Sequence, residues 1–162
     1  MEEATVQRIA ILGRGGAGKS TLARRLGERL DLPVVELDGL FWRPDLTPTP
    51  PEEWAQVQRR VLAAERWIVD GDLGPFDSAL PERLARAELI LVLDFPLWRC
   101  AWRALRRARE NTAFWRWVLG YRRRSLPVIL AAAAEAGAAE RLRLVRDPRS
   151  LERLLAQVFA QA

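Results

Sequence analysis

The stretch ILGRGGAGKST, Ile11 to Thr21, carries the most specific chemical signal in the chain. Gly13, Gly18, Lys19 and Ser20 match the phosphate-loop pattern G-x-x-x-x-G-K-[ST]. Glycines at Gly13, Gly15, Gly16 and Gly18, with Ala17 between them, let successive backbone N–H groups turn inward on phosphate oxygens. A helix beginning near Lys19 adds the positive end of its dipole. The Lys19 ammonium is expected to bridge the β- and γ-phosphates of ATP, the Ser20 hydroxyl to bind Mg²⁺, and Thr21 to sit near the α-phosphate.

Acids come next. ELILVLDFP ends an apolar run in Asp94, a place from which a carboxylate can reach the hydration shell of Mg²⁺. VVELDG and WIVDGDLG bring Asp38, Asp70 and Asp72 to the ends of two further runs. Ligands of open α/β sheets bind outside the carboxyl ends of the strands, so these acids and the loop should converge on one crevice. Asp38 is the candidate to orient an acceptor hydroxyl or take its proton, against the plainer reading of a turn or helix cap. Phe41 and Trp42 could wall an acceptor pocket, and Arg43 could hold an anionic group there. For Asp70 and Asp72 the competing reading is a chain reversal.

Arginines crowd RCAWRALRRARENTAFWRWVLGYRRR, Arg99 to Arg124. Arg103, Arg106, Arg107, Arg122 and Arg123 are candidates to neutralise charge on a transferring phosphoryl group, with Arg103 and Arg107 placed in the catalytic set. A solvated helix face is the alternative for any one of them. Trp98, Trp102, Trp115 and Trp117 lie at helical spacing and read as core.

The elements that must position these residues alternate. Strands are expected at Val6 to Leu12, Leu32 to Leu37, Trp67 to Val69, Glu88 to Leu93 and Arg141 to Val145. Helices are expected at Lys19 to Leu30, Pro51 to Glu65, Asp77 to Ala87, Pro96 to about Glu110, Thr112 to Ala136 and Pro148 to Phe159, with a loop from Asp38 to Pro51. That order predicts an α/β fold, a three-layer α/β/α P-loop NTPase with a five-stranded parallel sheet and a short helical lid. One domain of 162 residues is expected, with an acceptor-side insertion at about 38–66 and a lid-like segment at about 99–137.

Composition narrows the function classes. The chain has no histidine, so histidine acid–base chemistry and histidine metal sites are excluded. Cys100 stands alone in a helical pattern and reads as a small core residue. No apolar run is long enough to span a membrane, and MEEATVQRIA lacks a signal-peptide apolar region, so a soluble, cytoplasmic protein is expected. The net charge of +5 keeps nucleic acid in view as the less favoured partner. Monomer and homodimer both stay open.

GRGGAGKST, ELDGLFWRP, EEW, WIVDGD and LVLDFPLWRCAWRALRR together resemble the adenylate-kinase-like P-loop proteins of the topology-modulation (FlaR-like) family, over about Arg8 to Arg107. Through that family the chain is also similar to nucleoside-monophosphate kinases. The resemblance implies an ATP- and Mg²⁺-dependent phosphotransferase of that fold, with Arg146, Asp147 and Pro148 packing on the adenine. Adenylate kinases carry Phe-Pro-Arg after the third-strand Asp-Gly. Here Asp72, Leu73 and Gly74 follow, without arginine, which argues against AMP as acceptor. Where the FlaR-like pattern has histidine before the second-strand aspartate, this chain has Glu36. The reading is therefore a kinase acting on a small-molecule or nucleotide acceptor, with a nucleotide-dependent regulatory or nucleic-acid-associated protein as the alternative.

Overall fold

The computed structural model describes residues 6–45, 47–106 and 112–160. Five parallel strands, β1 (Arg8–Gly13), β2 (Val34–Glu36), β3 (Trp67–Asp70), β4 (Leu89–Leu93) and β5 (Leu142–Val145), lie in the order β2-β3-β1-β4-β5. Seven helices are described: α1 (Lys19–Leu30), α2 (Leu37–Phe41), α3 (Pro51–Ala63), α4 (Leu80–Arg86), α5 (Leu97–Leu105), α6 (Thr112–Glu135) and α7 (Pro148–Ala160). This is a three-layer α/β/α arrangement of the nucleoside-monophosphate-kinase-like P-loop type.

The layers follow from the period of two along each strand. Ile9 and Ile11 of β1 join Leu22, Leu26 and Leu155 in a core on the face covered by α1 and α7. Ala10 and Leu12 point the other way and join Trp54, Leu84, Tyr121 and Ile129 beneath α3, α4 and α6. With both faces covered, the central strands are apolar at nearly every position, as parallel sheets require.

Registers place the loop. Ile11 is level with Asp70 of β3, and Gly13 is level with Leu93 of β4. The chain leaves β1, builds the β2–β3 side, then crosses to β4. The glycine-rich loop therefore opens at the point where the winding reverses, which is where ligands bind in such sheets. At the opposite edge Glu88 ties the strand starts together, accepting from the Gln7 amide at 2.7 Å and the Arg8 guanidinium at 2.6 Å.

Three local differences from the expected elements have physical causes. Asp38 does not begin a long loop: Leu37–Phe41 is one helical turn and more, because Leu37 and Phe41, four residues apart, both bury in the core. A 3₁₀ turn at Gly74–Phe76 delays α4 to Leu80. Trp98 and Trp102 are not core: they stand 71 % and 61 % exposed, because α5 buries the opposite side, through Cys100 and Ala104. Cys100 is buried as expected, and burial pushes its thiol pKa up. Arg107 and the predicted extension of α5 to Glu110 lie outside the described residues. Among the described residues no helix is long and apolar enough to cross a membrane.

Candidate functional site

The loop from Gly13 to Gly18 takes the curled course its glycines allow. Gly16 and Gly18 have φ of 79° and 94°, where a side chain would strain the backbone. Space is closed to side chains as well. A Cβ on Gly16 would run into the Cys100 carbonyl, and one on Gly15 would come within 2.6 Å of Phe114 and 2.8 Å of Trp117. Gly18 is the non-helical residue before α1, so the helix starts at Lys19 and its first amides face the loop. Ala17 is buried, Ser20 half-buried and Thr21 exposed.

Lys19 reaches back over its own loop. Its Nζ donates to the Gly13 carbonyl at 2.9 Å and the Arg14 carbonyl at 3.3 Å, and stands 5.8 Å from the centre of the Trp117 ring. Arg103 of α5 donates to the Ala17 carbonyl at 3.3 Å, and a Cβ on Gly18 would touch its guanidinium. Arg103 is thus a neighbour of the glycine-rich loop. Arg106 lies on Trp102 at 5.6 Å, and Arg123 is exposed.

The carboxylates divide into two groups. Asp38, Asp70 and Asp72 gather on the β2–β3 side. Glu36 and Asp70 are level across that pair, and Leu37 packs on Gly71, so Asp38 comes beside the acids that flank Gly71. All three have pKa values raised above 3.8, first by burial, with Lys19 acting in the opposite direction. Asp38 is open to solvent, yet protein surrounds it on enough sides for desolvation to dominate; Asp70 and Asp72 add to the rise. Asp70 is the acid at Ser20, whose hydroxyl helps to hold its pKa down. Its Oδ1 is buried without a hydrogen-bond partner. Asp72 Oδ1 accepts from the Gly74 amide at 3.2 Å. The Tyr121 phenol adjoins Asp72 without meeting it in hydrogen-bonding geometry, so Asp72 Oδ2 and the Tyr121 hydroxyl both lack a partner. Burial, then Asp72, pushes the phenol pKa far up.

Asp94 belongs to the other side. It is buried and accepts from Arg122 Nε at 2.8 and 3.1 Å, with Arg146 Nε 3.9 Å away. Its backbone amide bonds Val145, at the end of β5. The acid at Ser20 is therefore that of β3, whereas Asp94, the sequence-based metal candidate, is engaged by arginine. Asp147 caps α7, accepting from the Ser150 amide at 2.9 Å and its hydroxyl at 2.6 Å.

The aromatic wall differs from expectation in detail. Phe41 is buried, with Trp42, Trp54 and Phe76 at centroid distances of 4.9, 5.1 and 5.4 Å. The exposed rings are Trp42 and Phe76, at 44 % and 51 %. Arg43 is paired with Glu53 at 2.7 Å, so its charge is already met.

Four residues at the site escape the sequence reading. Arg83 clamps the DGDLGPFD turn, donating to Asp77 Oδ2 at 2.6 Å and to the Gly71 carbonyl at 3.4 Å. Arg14 is buried, donates to the Phe95 carbonyl at 3.3 Å and lies over Tyr121. Trp117 and Tyr121 project from α6 one turn apart, towards Lys19 and Asp72. Their four-residue spacing was visible, but nothing in it says which partner they meet.

Among the described residues no three metal-binding side chains converge on one point. Mg²⁺ does not ask for such a cage. It is commonly held by one or two protein oxygens together with phosphates and waters. Ser20 and the unpartnered Asp70 Oδ1 fit that donor set.

Neither a family model nor a curated protein matches the sequence. Solved structures do match. The chain is similar to a shikimate kinase from Acinetobacter baumannii in complex with shikimate, at 18 % identity and a TM-score of 0.57, covering 97 % of this chain and 92 % of that one. A gluconokinase from Sinorhizobium meliloti 1021 gives 16 %, 0.56, and coverages of 97 % and 91 %. A shikimate kinase from Bacteroides thetaiotaomicron gives 18 %, 0.53, and coverages of 94 % and 96 %. At these identities the likeness is one of fold, that of P-loop kinases. The topology-modulation resemblance rests on the sequence motifs alone.

Proposed function

We propose that the chain is an ATP- and Mg²⁺-dependent phosphotransferase acting on a small hydroxyl-bearing acceptor. One observation carries this reading: a glycine-rich loop with Lys19 and Ser20 stands beside the carboxylates of Asp38, Asp70 and Asp72, all three of which feel the Lys19 charge while Ser20 adjoins Asp70. The loop from Gly13 to Thr21 cradles the phosphates through backbone amides, with Lys19 leaving its carbonyl partners for phosphate oxygens. Ser20 and Asp70 would hold Mg²⁺, which would neutralise charge on the phosphates. In this assignment Asp70 takes the metal role that the sequence reading gave to Asp94. Arg103 and Arg122 stand at the loop and at Asp94, ready to meet charge on the transferring group; Arg146 lies beside them and near the adenine end.

Asp38 works on the acceptor. Its raised pKa suits a group that takes a proton from a hydroxyl. As that proton moves to Asp38, the hydroxyl oxygen bonds the γ-phosphorus. The bond from the γ-phosphorus to the bridging oxygen breaks, and ADP leaves with the electron pair. Phe114 and Trp117 over the loop exclude water, which would otherwise compete as acceptor.

The deciding experiment follows ATP consumption with Mg²⁺, alone and with a panel of hydroxylated metabolites and nucleotides. Wild-type protein should respond to an acceptor, and Lys19→Ala should lose turnover by orders of magnitude at unchanged fold. Asp38→Asn should keep ATP affinity and lose transfer. Wild-type turnover in Lys19→Ala would sink the assignment. A flat panel with tight ATP binding would favour the second reading, a nucleotide-gated binding protein. Its structural support is α5, where Trp98, Trp102 and Leu105 stand exposed among arginines.

A further inference from the structure

Helix α5 carries a feature outside the phosphotransferase reading. Trp98, Trp102 and Leu105 are spaced by four and three residues, so they form one stripe along the helix. Arg99, Arg103 and Arg106 repeat that spacing one residue on and form a second row beside the first. All three apolar residues stand more than half in solvent, Leu105 at 64 %, while Cys100 and Ala104 bury the opposite side. A contiguous exposed apolar stripe rimmed by charge marks an interaction surface.

The charge beside the stripe is of one sign. Arg99 lies over the Phe95 ring, Arg103 donates to the Ala17 carbonyl, and Arg106 lies over the Trp102 ring. These partners are all neutral, and among the described residues no carboxylate pairs with any of the three. The surrounding sequence supplies little compensation: residues 95–134 hold nine arginines and a single acid, Glu110. Asp94, just before them, is taken by Arg122. A second copy of this chain would set arginine against arginine, so the complementary partner is anionic. The side chains say which kind. Base stacking needs open ring faces, whereas Arg106 already lies over Trp102, and Leu105 has no ring to stack. A protruding stripe of tryptophan and leucine beside a row of arginines is the pattern that settles in the headgroup layer of an anionic bilayer.

We propose that α5 docks this protein peripherally on an anionic membrane surface, with Trp98, Trp102 and Leu105 entering the headgroup layer and Arg99 and Arg106 meeting lipid phosphates. Such docking stands apart from the phosphotransferase reading, since it needs neither nucleotide nor acceptor. It still reaches the glycine-rich loop, because Cys100 and Arg103 of the same helix lie against Gly16 and Ala17.

The test is co-sedimentation of the full chain with vesicles of phosphatidylcholine alone and of phosphatidylcholine mixed with phosphatidylserine, followed in parallel by tryptophan emission. Binding to the anionic vesicles should be about tenfold stronger than to the neutral ones, should weaken as salt is raised, and should shift the emission to the blue. Replacing both rings, Trp98→Ala with Trp102→Ala, should remove most of the binding, and Arg106→Gln should narrow the preference for anionic lipid. Leu40→Ala, which removes an exposed apolar side chain outside α5, should bind vesicles like the wild type; circular dichroism confirms that each variant folds. The proposal is overturned if anionic vesicles are not bound, if binding survives the loss of both tryptophans, or if Leu40→Ala loses as much as they do. Two other results would assign the stripe to a different occupant and overturn it equally. One is a single-stranded oligonucleotide that displaces the vesicles and needs Trp98 and Trp102. The other is a dimer in light scattering that the same pair of substitutions dissolves.

Discussion

Arg83 sits in the core with its guanidinium on Asp77 Oδ2 at 2.6 Å and Oδ1 at 3.3 Å. With the Gln58 amide turned so that its oxygen accepts from Trp54 Nε1 at 2.7 Å, its nitrogen donates to Asp77 Oδ1 at 3.3 Å. The pair therefore links α3, α4 and the turn after β3. Removing one partner of such a pair leaves an uncompensated buried charge. Arg83→Met is expected to cost about 3–5 kcal/mol. Urea denaturation of the variant would show it as a lower midpoint. Arg83→Met with Asp77→Leu should recover much of the loss, since no charge is then stranded; a double variant as unstable as the single one would contradict this. None of it could be read from the chain, because Arg83 looks like any helix-surface arginine until the fold turns it inward. The loop residues were legible for the opposite reason. Gly13, Gly18, Lys19 and Ser20 act through local backbone shape, which sequence spacing records directly. Asp70 and Asp94 fall between these cases. Each ends a strand beside β1, and only the three-dimensional pairing of Asp94 with Arg122 and of Asp70 with Ser20 separates their roles.

At the scale of elements, α6 is the decisive piece. Its C-terminal half packs in the core through Ile129 and Ala133, and its N-terminal half lays Phe114, Trp117 and Tyr121 against the glycine-rich loop and the turn after β3. Pro127 stands between the halves and lacks the amide that would bond one turn back. A helix so interrupted bends at that point. We expect the front half to move when phosphate arrives, because Lys19 must exchange its carbonyl partners for phosphate and Trp117 lies beside it. Adding ATP and Mg²⁺ should then change the tryptophan fluorescence, and Trp117→Phe should remove most of the change. Trp117→Ala should bind ATP a few-fold more tightly, the scale of one cation–π contact of about 0.5–1 kcal/mol. Weaker ATP binding in that variant would instead make Trp117 part of the nucleotide site. Helical spacing revealed that α5 and α6 are helices with aromatic stripes. It could not say what covers a stripe, so Trp98 and Trp102 were expected inside and lie outside. The strands were legible because parallel β-strands buried on both faces read as apolar runs.

For the molecule as a whole, the carboxylates that follow β2 and β3 should leave their mark on stability. Asp38, Asp70 and Asp72 have folded-state pKa values raised above 3.8, mainly by burial. A carboxyl raised by folding binds its proton more readily in the native state. Its contribution is therefore most favourable at low pH and is lost as pH climbs from the unfolded value through the folded one. Asp45, Asp147 and Glu152 act in the other direction. Their pKa values are lowered by Thr47, Ser150 and Arg25, so their contributions fade as pH falls. Those three are fully exposed and screened by solvent, and the buried acids should dominate. The melting temperature should consequently fall as pH rises above about 4, where the unfolded carboxyls lose their protons, the reverse of what paired carboxylates produce. Asp72→Asn should flatten that slope and raise the melting temperature at the upper end, because the amide needs no proton to stay neutral in the buried turn. Thermal melts of both proteins across this range test it. A wild-type melting temperature that instead rises steadily with pH would mean that these carboxylates are charged and paired in the folded protein, with pKa values held below the unfolded one.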